Sequence, residues 1–126
     1  MKVLWWLVLL LTYSLVGIDY DWNKWQEQCN PEERTQLELN KCAHQQFLLS
    51  DSELNDTYKL ILRSLRPEQQ QQLRAEQGLW LKARDSKCRA QADDEAAGGS
   101  IWPMLYELCR ASVTQHRTQE LRDWKS

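Results

Sequence analysis

The stretch Gln77-Gly78-Leu79-Trp80-Leu81-Lys82-Ala83-Arg84-Asp85-Ser86-Lys87-Cys88 decides how the chain folds. At helical spacing Leu73, Gln77, Trp80, Leu81, Arg84 and Cys88 share one face, so an apolar stripe carries an amide, a guanidinium and a thiol. A polar group set into a packing face needs a partner or is exposed for use. The rest of the chain has to supply those partners.

Working outward, Leu39, Ala43, Phe47, Leu54, Tyr58, Ile61, Leu62 and Leu65 step by threes and fours, which predicts an amphipathic helix of about 30 residues. Ser50-Asp51-Ser52-Glu53 resembles an internal capping box, where a kink can form. Pro67 ends this helix and opens the next, which fades through Asp93-Asp94-Glu95. Gly98-Gly99 breaks the second helix; Ser100 is expected to cap a third, with Ile101, Leu105, Leu108, Ser112, Val113, Leu121 and Trp124 inward. Few Gly and Pro, a charged fraction of 27% and abundant Gln favour long helices over short strands. The expected fold class is all-α, a single-domain bundle of three main helices at about 35–65, 67–96 and 101–123.

Residues 1–17 read as a secretory signal: Lys2 precedes an apolar run from Val3 to Val16, too short for the roughly 20 residues of a membrane span. No Leu-x-x-Cys lipidation box is present, because the first cysteine is Cys29. The expected location is therefore periplasmic or secreted, with no membrane span after signal cleavage. The mature region is 18–126. Loss of Lys2 moves the formal charge from −2 to −3, which disfavours nucleic acid as a partner and permits a basic protein. Tyr20, Trp22 and Trp25 either pack on the outside of the bundle or tether it to a membrane-associated amino terminus.

In an exported chain, Cys29, Cys42, Cys88 and Cys109 imply two disulfides rather than a zinc site, since no Cys-x-x-Cys pair occurs. Three connectivities are open. Cys88 and Cys109 flank the Gly98-Gly99 turn, so a bridge there would staple a helical hairpin, leaving Cys29 to Cys42. Two helix starts compete between that second pair, Asn30-Pro31-Glu32-Glu33 and Thr35-Gln36-Leu37-Glu38. One helix through 31–42 would separate Cys29 and Cys42 by about 18 Å of rise, far beyond disulfide reach. That bridge requires a turn near Thr35, with 29–34 folded back.

No Ser-His-Asp or Cys-His-Asn arrangement is visible, and both histidines, His44 and His116, lie in polar helix surroundings, so catalysis and cofactors are not expected. Arg84 and Arg117 have two readings: a structural ion-pair network with Asp85 or Glu53, or a cationic lining for a binding cleft. Trp80 and Tyr58 are expected as core aromatics whose polar tips reach Gln77 or Asn55. Trp102 follows Gly98-Gly99-Ser100 at a loop tip, where a ring serves as an interface anchor or packs.

Taken together, Leu54-Asn55-x-x-Tyr58, Gln77-x-x-Trp80-x-x-x-Arg84-Asp85-x-x-Cys88, Gly98-Gly99-Ser100 and Cys109-x4-Thr114-x-x-Arg117-x-x-x-Leu121 resemble the lysozyme-inhibitor LprI-like family. The resemblance runs from about Cys29 to Leu121 and implies a small exported helical domain. One mycobacterial lipoprotein of that family is associated with lysozyme inhibition. The implied function is non-covalent protein binding, with a lysozyme or other cell-wall hydrolase as partner and the loop Gly98, Gly99, Ser100 and Trp102 as candidate contact. The alternative is an envelope interaction module with no lysozyme partner.

Overall fold

The computed structural model describes residues 22–125. The expected signal peptide at 1–17, and Tyr20, lie outside them. Four α-helices follow in order: α1 Trp22–Cys29, α2 Gln36–Ser64, α3 Pro67–Ala96 and α4 Trp102–Arg122, with a 3-10 turn at Pro31–Glu33. The described residues contain no strand.

Both competing starts are used. Asn30 takes a left-handed conformation at φ 44°, Pro31 opens the 3-10 turn, and Arg34 returns to extended backbone. Thr35 then caps α2: its hydroxyl accepts the Glu38 N–H at 3.3 Å while Glu38 Oε2 accepts the Thr35 N–H at 3.3 Å. The chain thus doubles back, and Cys29 and Cys42 are bridged with Cα atoms 5.8 Å apart. Helix α2 runs unbroken through Ser50, whose hydroxyl donates to the Gln46 carbonyl at 3.1 Å and so serves its own helix rather than starting another.

Pro67 opens α3 as expected, after Leu65 closes α2 by donating its N–H to the Leu62 carbonyl at 3.2 Å. At the far end Gly98 holds φ 74°, and Gly99 N–H donates to the Ala96 carbonyl at 2.8 Å. Ser100 does not cap α4. The capping position falls one residue later, on Ile101, which makes no side-chain bond there, because the turn is closed by Trp102 N–H on the Gly99 carbonyl at 3.2 Å.

Helix α4 lies against both α2 and α3, whereas α2 and α3 approach each other little along their backbones. Two apolar clusters hold the ends. Near the α3–α4 turn, Trp25, Cys29, Leu39, Ala43, Met104 and Leu108 pack together; near the α2–α3 connection, Leu54, Leu73 and Leu121 pack with Tyr58, Ile61, Leu62 and Trp124. The segment whose assignment the sequence left open is therefore a helix that closes one end of the bundle, with Trp25 only 4% exposed.

Two expected inward residues are not inward. Leu81 and Ile101 are 39% and 38% exposed. The buried positions of α3 are Leu73, Gln77, Arg84, Cys88 and Ala92. From Gln77 the stripe steps seven residues to Arg84, a net rotation of about −20° at 100° per residue, whereas Leu81 lies about 40° to the other side of Gln77 and so falls off the stripe at that level. Ile101 precedes the first turn of α4 and never joins its packing face.

Candidate functional site

Between the two apolar clusters the bundle carries a layer of arginines and aromatic rings. From α4, Arg110 stacks on Tyr106 and Phe47 with its Cζ 4.7 and 3.6 Å from the ring centroids. From α3, Arg84 lies over Phe47 at 5.0 Å and Trp80 at 5.3 Å, and Arg117 lies over Trp80 at 5.8 Å. Cations and rings alternate from Tyr106 to Arg117. These long side chains fill the space between α2 and α3, which is why the two backbones stay apart.

The guanidinium in the opening stretch finds its partners. Arg84 donates from Nε to Asp85 Oδ1 at 3.0 Å, and from Nη1 to Asp51 Oδ1 at 3.2 Å and the buried Thr114 hydroxyl at 3.3 Å. Glu53, the other expected partner, instead receives Arg122 at 3.0 Å. Gln77 accepts from Arg117 Nε at 2.9 Å, and Glu120 accepts from Arg117 Nη1 at 3.1 Å. Cys88 is bridged to Cys109 across the hairpin. Trp80 and Tyr58 pack on the same Leu54, Leu73 and Leu121 cluster, and Asn55 is exposed on α2.

Arg110 belongs to no motif read from the sequence, yet it is central to this layer. It donates to Glu107 Oε2 at 2.9 Å, and His44 Nδ1 lies 3.2 Å from the same carboxylate's other oxygen. Burial works against the Arg110 charge, but the Glu107 hydrogen bond and the fields of Glu107, Tyr106 and Asp85 outweigh it, raising the pKa above its ordinary value. The available signal was Tyr106, Glu107 and Arg110 at three- and four-residue spacing, the pattern of same-face neighbours on a helix.

The loop Gly98 to Trp102 is fastened on two sides. Asn40 of α2 donates to the Ser100 carbonyl at 3.0 Å. Trp102 stacks on Tyr106 with centroids 5.0 Å apart, and its indole donates to Asp93 Oδ1 at 2.7 Å. Trp102 is therefore half-buried, and the exposed tip is Gly98 to Ile101.

Charge is distributed unevenly around this loop. The loop end of the bundle, made by α1, the 3-10 turn, the start of α2 and the end of α3, carries Glu27, Glu32, Glu33, Glu38, Asp93, Asp94 and Glu95. Against these acids stand Lys24, Arg34, Lys41 and Arg89. The remaining described residues carry a cationic excess, so an acidic pole coincides with the fastened loop. That pole can attract a basic protein surface. Among the described residues no His, Cys, Asp and Glu side chains gather closely enough to hold a metal ion.

A family model described as lysozyme inhibitor LprI matches residues 27–121. The chain is also similar to a protein of Rhizobium meliloti (strain 1021) described as uncharacterized, 34% identical over 102 residues that cover 71% of this chain and 73% of the relative. No solved structure matches the chain.

Proposed function

The chain belongs to the lysozyme inhibitor LprI family, and from that membership we propose that it is an exported envelope protein that binds a lysozyme or similar cell-wall hydrolase without covalent chemistry. The match over residues 27–121, which takes in the whole bundle from the end of α1 to the end of α4, carries the proposal. The family is one of inhibitors, so the chain acts by occupying a partner rather than by turning over a substrate.

The binding face is the acidic pole. Its carboxylates steer a basic hydrolase toward the loop end, and the Gly98 to Ile101 tip, held by Asn40 and by the Trp102 stack, enters the cleft already ordered. Two disulfides fit an oxidising compartment, and no helix among the described residues is long and apolar enough to cross a membrane. The disulfides support a location outside the cytoplasm.

A turbidity assay tests the reading: the oxidised protein is mixed with a c-type lysozyme and bacterial cell walls, and lysis is followed over time. Slowed lysis at micromolar protein, relieved by added salt, is expected. Lysis unchanged at that concentration overturns the lysozyme partner and leaves the envelope interaction module as the reading.

A further inference from the structure

Away from the acidic pole, α3 and α4 line a groove of ≈ 410 Å³, with Trp80, Ala83 and Val113 on its apolar side and Arg84, Lys87, Ser112, His116 and Glu120 as its polar groups. The volume is that of a small-ligand site, and an apolar wall with a few converging polar groups is the usual construction of one. Its polar groups are mainly donors. Arg84 is only 7% exposed, and hydrogen bonds occupy its Nε and Nη1 but not its Nη2. Lys87 has no ion-pair partner among the described residues. Arg117 stacks on the Trp80 ring from outside the groove lining. Glu120, the acid in the lining, is already engaged by Arg117 Nη1 at 3.1 Å.

Arg84 Nη2 and the Lys87 ammonium are thus groove donors that hold no protein acceptor, and both can turn to an acceptor from outside. We propose that this groove binds a small carboxylate-bearing ligand, its anion received by Lys87, Ser112 and the free edge of Arg84 and its apolar part laid against Trp80, Ala83 and Val113. The cationic lining is thus a second site, distinct from the loop end and independent of any lysozyme partner. Arg84 serves it while also holding the bundle together, which is why a structural ion-pair network and a ligand cleft draw on the same side chain.

The test uses isotope-labelled, oxidised protein titrated with N-acetyl-leucine, N-acetyl-leucinamide and acetate, read by amide chemical shifts. N-acetyl-leucine is expected to move resonances of Ala83, Lys87, Ser112 and Val113. The amide should bind about tenfold more weakly, as loss of a charge-assisted hydrogen bond implies, and acetate more weakly for want of the apolar part. Lys87 is exposed, so Lys87→Glu should keep the thermal midpoint and weaken N-acetyl-leucine about tenfold or more. Equal binding of acid and amide, shifts located elsewhere, no shifts at millimolar ligand, or binding unaltered in a folded Lys87→Glu protein would each overturn the proposal.

Discussion

Replacing Arg84 with alanine should destabilise the protein by about 3–4 kcal/mol, and the figure can be assembled from its surroundings. Loss of two stacked rings, at 5.0 and 5.3 Å, removes about 1–2 kcal/mol for a largely desolvated guanidinium. The Thr114 hydroxyl, fully buried, loses a donor worth about 1 kcal/mol. Breaking a fully buried ion pair costs about 3–5 kcal/mol, but Asp51 and Asp85 are 31% and 42% exposed and can rehydrate, which reduces the loss to about 1 kcal/mol. Urea unfolding followed by circular dichroism measures the change, with the slope expected to match the unsubstituted protein. Arg84→Lys keeps the charge without the planar fork and should lose about 2 kcal/mol. A loss below about 1 kcal/mol for Arg84→Ala would refute the view that this layer holds α2 and α3 to α4.

Other substitutions probe separate joints. Cys88→Ser with Cys109→Ser opens a loop with a sequence separation of 21, which should cost about 3 kcal/mol in thermal or urea unfolding. Gly98→Ala should lower stability by about 1 kcal/mol because the residue sits at φ 74°, while Gly78→Ala, on an exposed helix face with open space, should raise it by about 0.5–1 kcal/mol in the same assay. Both bridges join consecutive cysteines, so reduced protein should regain the native pairs with oxidant alone, and a requirement for an isomerase, seen by non-reducing peptide mapping, would count against the local pairing.

The long helices were legible because apolar spacing and end signals agreed: Thr35 with Glu38, Pro67, and Gly98 each lie where the structure places a boundary. Arg84 with Asp85 was legible for the same reason, since an arginine amid an apolar face demands a counter-charge. What was not legible depends on tertiary distance. Asp51 rather than Glu53 meets Arg84 because Asp51 lies on the side of α2 that faces α3, a distinction of two residues that periodicity alone leaves open. Arg110 was invisible because, beside ordinary same-helix neighbours, its partners are Phe47 and Asp85, both far away in sequence. Helix α1 was obscured by charges around Trp25, whose burial rests on Met104 and Leu108 at the other end of the chain. The acidic pole likewise emerges only once α1, the end of α3 and the loop are brought together.

The claim that this pole is the binding face is tested most directly by titrating isotope-labelled protein with unlabelled c-type lysozyme and mapping which amide resonances broaden. Broadening should centre on Gly98 to Ile101 and extend to Glu32 and Glu33 on the 3-10 turn, and it should diminish with salt. Broadening centred instead on the α2–α3 connection around Leu65 and Arg66, or none at all, would contradict it.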